Sequence, residues 1–187
     1  MLYLSKGVLC KDSTTDTVRV ARGDAVFVLT KSESEIWFNG RFNIVSVTDD
    51  KKVNAVISLY EKGLAEFDEL SDALGQYRLL SRCICCPAKS AFIKAPLLKT
   101  EKTVMLWLDN AGIRLSTAEL VYLMENKVRP SGNLFGDENA QALIETIYTK
   151  DTIFDNILEN RMEYAKCRNE IVCAILTLLK KKRIVML

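Results

Sequence analysis

The chain has 187 residues, of which 49% are apolar, and its 26 lysines and arginines against 24 aspartates and glutamates give a formal net charge of +2. This composition is typical of an ordered globule, and the near-neutral charge excludes a strong global attraction to polyanions. The chain has no histidine, which excludes Ser-His-Asp and Cys-His catalysis and mixed Cys/His zinc sites. It has no Gly-rich phosphate loop either, so we predict a protein that is not an enzyme and has no cofactor.

No apolar stretch approaches the ~20 residues that a membrane-spanning helix needs, and the first ten residues lack a signal-peptide pattern. We therefore predict a cytoplasmic protein without a membrane partner. Its cysteines are predicted to be reduced, at positions 10, 83, 85, 86, 167 and 173. For Cys83, Cys85 and Cys86 we favour packing in the core, with a soft-metal or redox sensor as the alternative. We predict no bound metal and no disulfide among these three.

Two halves of the chain resemble one another. Thr17-Val18 recurs as Thr103-Val104, 86 positions later, and both copies contain a hydroxyl-x-x-Glu capping box, at Thr30/Glu33 and Ser116/Glu119. At an offset of 87, Tyr77 meets Tyr164 and Ile84 meets Ile171. The pattern predicts a tandem repeat, with one unit over 1–95, a linker over 96–102 and a second unit over 103–187.

In the first copy, apolar residues predict a strand over 2–9 and a hairpin that turns at Arg22-Gly23-Asp24. A capped helix is predicted over 31–39, although Asn39-Gly40 also resembles a hairpin turn. Three further helices are expected. They cover 51–62, 67–74, which Gly75 would close, and 76–86, which Pro87 would stop. A short strand is predicted over 91–93.

The second copy is predicted to repeat this order. A hairpin is expected over 104–108 and 112–115, followed by a helix that Ser116 caps and that runs to Asn126. A loop over 129–133 precedes helices over 138–149, 154–161 and about 166–182. The apolar end, 184–187, is predicted to pair as a strand, within its own unit or across a two-fold axis.

Three short helices followed by a β segment resemble a winged helix-turn-helix, over roughly 51–94 and 138–187. The stretch 167–185 resembles the end of such domains, where a recognition helix finishes in Leu-x-x-Lys-Lys-x and enters a wing strand. The predicted fold is therefore α+β, mainly helical, with two winged-helix-like units in tandem, each preceded by a β-hairpin and a capped helix. The resemblance implies a DNA-binding transcriptional regulator that acts as a homodimer on double-stranded DNA. The alternative is a non-enzymatic protein–protein adaptor on the same scaffold.

The candidate DNA contacts lie on the third helix of each copy. In the first copy, Tyr77, Leu80 and Ile84 are expected to face inward, while Arg78 and Arg82 share the opposite face with Cys85. We expect these arginines to be exposed, so that their loss would cost little stability. For the lysines and arginine at 180–183 we favour helix capping, with phosphate contact as the alternative. Trp37, Phe38 and Phe42 are interpreted as core residues rather than an exposed anchor. The full set of predicted DNA-binding residues is Arg78, Ser81, Arg82, Lys89, Lys166, Arg168 and Asn169.

Overall fold

A computed structural model describes residues 1–88, 96–111, 114–128 and 155–187. These ranges contain seven helices and three antiparallel sheets of three strands each, which confirms the predicted α+β class. The strands are β1 (Leu2–Ser5), β2 (Val8–Leu9), β3 (Val18–Arg22), β4 (Ala25–Leu29), β5 (Val45–Ser46), β6 (Ala65–Asp68), β7 (Ile84–Pro87), β8 (Leu115–Ser116) and β9 (Ile184–Met186). The helices are α1 (Lys31–Gly40), α2 (Asp50–Glu61), α3 (Ala73–Ser81), α4 (Lys99–Asn110), α5 (Thr117–Glu125), α6 (Asp155–Met162) and α7 (Arg168–Lys180).

The hairpin and the capped helix of the first copy are confirmed. β3 and β4 pair around a two-residue turn, and α1 begins with the predicted capping box of Thr30 and Glu33. Asn39-Gly40 forms the last turn of α1, so the alternative hairpin there is wrong. A Cβ on Gly40 would lie 2.6 Å from the Ser5 hydroxyl, and the absence of one lets the helix pack directly on β1.

The predicted strand over 2–9 is divided into β1 and β2 by Gly7, whose φ is 98°. A Cβ there would lie 2.7 Å from a methyl group of Val20 and 2.9 Å from the carbonyl of Ala21. The chain therefore turns at the one residue that tolerates this backbone and this close approach. β1 then joins one sheet, while β2 joins another.

Two of the predicted helices of the first copy are wrong in part. The segment predicted as a helix over 67–74 starts as strand β6, because β6 pairs along its full length with β1. Gly75 lies inside α3 rather than closing a helix. α3 ends at Ser81, and Ile84–Pro87 forms β7 instead of the last helical turn.

The predicted hairpin of the second copy is also wrong. Residues 104–108 belong to α4, whose buried side chains Val104, Trp107, Leu108 and Ala111 follow the helical spacing i, i+3, i+4, i+7. α4 begins at Lys99, inside the predicted linker. By contrast, α2, α5, α6 and α7 are confirmed within a few residues. The strand over 91–93, the loop over 129–133 and the helix over 138–149 lie outside the described residues.

The repeat at offsets of 86 and 87 does not hold in the structure. Tyr77 is buried in α3, whereas Tyr164 is 87% exposed in the turn after α6. Ile84 lies in a strand and Ile171 in a helix. The paired residues therefore occupy different kinds of element.

A different internal repeat is present. β1 is the central strand between β5 and β6, and β7 is the central strand between β8 and β9. After β1 the chain first forms β2, β3 and β4, and then runs through α1, the two-residue strand β5, α2 and the closing strand β6. After β7 it runs through α4, the two-residue strand β8, further helices and the closing strand β9. The registers correspond: Tyr3 faces Val45 and Phe67, while Cys85 faces Leu115 and Met186. The spacing between equivalent strands differs along the chain, so no single sequence offset detects this repeat.

The helix that precedes the closing strand ends with the same hydrogen-bond pattern in both arrangements, at α2 before β6 and at α7 before β9. After α2, the N–H groups of Gly63 and Leu64 donate to the carbonyls of Tyr60 and Leu59. After α7, the N–H groups of Lys182 and Arg183 donate to the carbonyls of Leu179 and Leu178. Gly63 and Lys182 are both left-handed, with φ of 69° and 53°. This is the C-terminal capping motif that redirects a helix into a strand.

A glutamate–lysine ion pair joins the same two helix ends in both arrangements. Glu33, in the first turn of α1, pairs with Lys62 after α2, and Glu101, in the first turn of α4, pairs with Lys181 after α7 at 2.7 Å. Both carboxylates are nearly inaccessible to solvent. Each contact fixes the start of one helix against the end of another.

The buried side chains form two clusters. The smaller one lies among β1, β3, α1, α2 and β6 and includes Trp37, which confirms the prediction that Trp37 is a core residue. The same prediction is wrong for Phe38, which is 46% exposed. The larger one joins Leu2 and Leu4 of β1 with side chains between Tyr77 and Met186. The two sides of the predicted linker therefore share one apolar core, and the exact domain boundaries stay a prediction.

Candidate functional site: a basic groove

Arg78 is held by an acidic partner in the turn that follows α6. Its Nε donates to Glu163 at 2.7 Å, and its Nη2 lies 2.6 Å from the same carboxylate oxygen. This contact raises the pKa of the Arg78 guanidinium. Because Glu163 is almost fully buried, Arg78 neutralises a charge that would otherwise be costly inside the fold.

Arg82 and Ser81 are held in the same region. Arg82 caps α3 and lies 3.4 Å from Glu159 and 3.6 Å from Asp68. It does not share a helix face with Cys85, which is buried in β7. Ser81 is buried too, and its hydroxyl donates to the carbonyl of Arg78 at 2.8 Å. Tyr77 and Leu80 face inward as predicted, but Ile84 is 39% exposed.

The remaining predicted DNA contacts are more dispersed. Arg168 donates to the carbonyl of Glu163 and to the Asn169 side chain, and its guanidinium lies 5.8 Å from the centre of the Tyr77 ring. Lys166 and Asn169 are exposed at the start of α7. Lys89 lies outside the described residues.

The cysteine cluster is divided between core and groove. Cys83 and Cys85 are buried, and Cys85 lies 3.7 Å from both the Thr117 hydroxyl and the Met186 sulfur. Burial raises the pKa of both thiols, to about 12 for Cys85, which disfavours a reactive thiolate. Cys86 is half-buried on the opposite face of β7. Across the described residues, no three His, Cys, Asp or Glu side chains come together as a metal site.

A groove of about 690 Å³ lies where the β2–β3–β4 sheet meets the sheet of β8, β7 and β9. We call it the basic groove. Its cations are Arg41, just after α1, Arg114, just before β8, and Lys182, between α7 and β9. Its volume is in the range of sites that bind small molecules or short peptide segments. The full lining is Val8, Ala21, Gly23, Arg41, Phe42, Cys86, Pro87, Ala88, Arg114, Lys182, Val185 and Leu187.

The three cations of the groove lack the acidic partners that other basic residues have. Among the described residues, none of Arg41, Arg114 and Lys182 forms an ion pair, and no aspartate or glutamate lines the groove. Arg78 and Arg82, by contrast, form ion pairs with carboxylates. The groove therefore has an uncompensated positive charge.

Aromatic rings hold two of these cations in place. The Arg41 guanidinium lies 5.0 Å from the centre of the Trp37 ring and 4.8 Å from that of Phe42, and the Lys182 ammonium lies 5.4 Å from Phe42. Burial lowers the pKa of Arg41, and its Nε is buried without a hydrogen-bond partner in the described structure. An incoming acceptor could satisfy the guanidinium.

The floor of the groove is apolar and continues beyond it. Val8 faces Ala21 across the β2–β3 pair, and Ala21 faces Val26 across the β3–β4 pair. Val8 and Val26 are 43% and 50% exposed. An exposed apolar stripe thus runs from β4 into the groove, which is typical of a macromolecular contact surface.

Sequence reasoning missed this site because its parts come from distant segments. Arg41 and Arg114 carry no sequence signal, and Lys182 was considered only as one member of the basic run at 180–183. No local pattern marks the site, because a lysine in the left-handed position after an apolar helix occurs at Lys182, inside the groove, and at Lys127, outside it.

Comparisons with protein-family models, with curated proteins and with solved structures each give no match. Within the described ranges, every helix is too short or too polar to cross a bilayer. The functional argument therefore depends on the geometry of the groove.

Proposed function

We propose that this chain is a non-enzymatic protein–protein adaptor that binds an acidic segment of a partner in the basic groove. The observation that carries the proposal is the set of three unpaired cations around an apolar floor. Carboxylates of a partner would complement Arg41, Arg114 and Lys182, and apolar side chains between them would cover Val8, Val185 and Leu187.

The winged-helix resemblance is compatible with this proposal as a scaffold. The stretch from α7 to β9 is a helix that ends near lysines and is followed by a strand, which is the order that the resemblance implies. However, six of the 13 residues of α7 are buried, and the helix packs against α3, α4 and α5. In an adaptor such a helix serves as a core element, and the sheet surface is free to bind.

DNA binding is the second candidate. It is favoured by the exposed Lys166 and Asn169 at the start of α7, and by Lys180 at its end. Against it, Glu170 is exposed on the same helix, and Arg78 and Arg82 already have carboxylate partners. The same titration can decide between the two candidates.

The test is fluorescence anisotropy with two labelled probes, a peptide of alternating glutamate and leucine and a mixed-sequence DNA duplex. We expect salt-sensitive binding of the peptide, weakened roughly tenfold, or about 1.4 kcal/mol, by Lys182→Gln or Arg114→Gln. Lys180→Gln is the matched control, because it removes an exposed lysine two residues away and outside the groove.

Two outcomes would count against the adaptor. Equal weakening by Lys180→Gln and Lys182→Gln would mean that net charge, not the groove, attracts the peptide. Tight binding of the duplex that Lys166→Ala abolishes, with no binding of the peptide, would favour the DNA-binding regulator instead.

A further inference from the structure

Strand β4 is an edge strand of unusual composition. It pairs with β3 on one side, and no other strand or backbone bond of the described structure covers its second side. Its five residues, Ala25–Leu29, are all apolar, and no charged residue lies between Asp24 and Lys31. Exposed edges of this kind pair with another chain unless charges, proline or a bulge prevent it.

The hydrogen-bond pattern shows which residues face the free edge. Arg22 and Ala25 close the two-residue turn, so Ala25, Phe27 and Leu29 face β3 with their backbone groups, while those of Val26 and Val28 point away. Strand β3 shows the same alternation. Arg19 lies opposite Val28, and its carbonyl points away from β4, because it accepts a hydrogen bond from the N–H of Cys10 on the β2 side.

We propose that β4 pairs antiparallel with β4 of a second copy of this chain, about a two-fold axis at Phe27. In this register Val26 and Val28 of one copy lie opposite Val28 and Val26 of the other, and each such pair exchanges two backbone hydrogen bonds. Phe27 meets its own equivalent. The result is a continuous six-stranded sheet with an apolar seam.

Charge complementarity favours a second copy of the chain as the occupant. The same register brings Asp24 of one copy beside Thr30 and Lys31 of the other, at both ends of the seam. Asp24, Thr30 and Lys31 are all exposed. A parallel arrangement would instead place like charges together, so the antiparallel homodimer is the arrangement that the sequence of β4 fits.

The pairing also has a consequence for the groove. Val26 lies on the same face of the sheet as Val8 and Ala21, which line the groove. A two-fold axis perpendicular to the sheet keeps both grooves on one side of the dimer. The pairing itself is independent of what the groove binds.

The experiment is the measurement of mass by light scattering over a concentration series. We expect a dimer for the parent chain, and at least a tenfold higher dissociation constant for Val28→Pro, which removes an outward N–H that has no acceptor among the described residues. Val28→Thr is the matched control, because it keeps the N–H and the β-branched shape and should remain a dimer. Thermal melting and circular dichroism establish that each variant is folded.

A second set of variants keeps the test decisive if proline impairs folding. Asp24→Lys and Lys31→Asp should each weaken the dimer, and the double exchange should restore it, because opposite charges again lie near one another at each end of the seam. A parent chain that is monomeric at every concentration overturns the proposal. So does a folded Val28→Pro variant with unchanged dimerisation, or a double exchange that fails to restore pairing.

Discussion

At the residue scale, the buried carboxylates of Glu33 and Glu101 accept hydrogen bonds from several donors, and each one fixes the start of a helix against the end of another. Glu33 is the clearest case. Burial opposes its ionisation, but hydrogen bonds from Lys62, the Ser58 hydroxyl and the Thr30 backbone outweigh burial and lower its pKa to about 2. The charge of Glu33 is therefore part of the folded state.

This pKa shift predicts a pH dependence of stability. Because the pKa of Glu33 is lower in the folded chain than in the unfolded one, its contribution is complete above about pH 4.5 and is lost as the pH falls toward 2. The contribution amounts to at most about 3 kcal/mol. Denaturant unfolding between pH 7 and about pH 2 measures it. Glu33→Gln should flatten the dependence, whereas Glu35→Gln, at an exposed position on the same helix, should leave it unchanged.

Lys182 illustrates a conflict between stability and binding. A left-handed lysine is strained, so Lys182→Gly should raise the free energy of unfolding by about 1 kcal/mol while weakening binding of the acidic peptide. Lys127 has a φ of 58° in the same capping motif after α5, outside the groove. Lys127→Gly should therefore stabilise equally and leave binding intact. Equal losses of peptide binding in both variants would contradict a specific role for Lys182.

At the scale of elements, α3 and α6 are joined by ion pairs rather than by apolar contacts alone. Arg78 and Arg82 reach Glu163, Glu159 and, from β6, Asp68. Tyr77 adds a hydrogen bond to the carbonyl of Glu159 at 3.2 Å. This arrangement changes the consequence expected for the loss of either arginine.

Arg78→Ala should destabilise the fold by about 2 kcal/mol, because it leaves Glu163 buried without its partner. The expectation from sequence, little loss of stability, assumed an exposed side chain. Denaturant unfolding provides the measurement, with Arg161→Ala, an exposed arginine at the end of α6, as the control. If Arg78→Ala matches the parent in stability but loses affinity for the DNA duplex, the DNA-binding interpretation would be supported instead.

At the scale of the whole molecule, β9 completes the sheet that it forms with β8 and β7. It pairs with β7, and Ile184 and Met186 are buried in the larger core, while Gly7 donates to the carbonyl of Met186 at 2.8 Å. The prediction that this apolar end packs as a strand is confirmed, and it pairs within its own chain. The last residues therefore join the C-terminal sheet to the N-terminal segment.

Deletion of residues 184–187 should lower stability by about 4 kcal/mol, since two buried apolar side chains and a strand pairing are lost. For a chain of this size the melting temperature should fall by roughly 8–16 °C in a thermal scan. Val185→Ala serves as the control, because Val185 faces the groove rather than the core and should cost far less. An unchanged melting temperature after deletion would mean that β9 contributes nothing to the fold.

The sequence alone determined the elements whose signals are local. The capping boxes at Thr30 and Ser116 placed α1 and α5, the Gly-Asp turn placed the β3–β4 hairpin, and apolar spacing placed α2 and α7. These signals work because a cap or a turn is satisfied by residues a few positions away. Composition likewise pointed to an ordered globule, and core packing was predicted correctly for Cys83 and Cys85.

Only the tertiary structure decided the rest. β6 and β7 are strands because β1 and β9 lie beside them, which overrides the helical tendency of their sequences. The internal repeat escaped detection because its equivalent strands are separated by unequal lengths of chain. The basic groove combines Arg41, Arg114 and Lys182, which no short-range pattern relates, and the arginines that looked free from sequence were paired by carboxylates more than 75 residues away. Charge becomes available for binding only where folding leaves it without a partner.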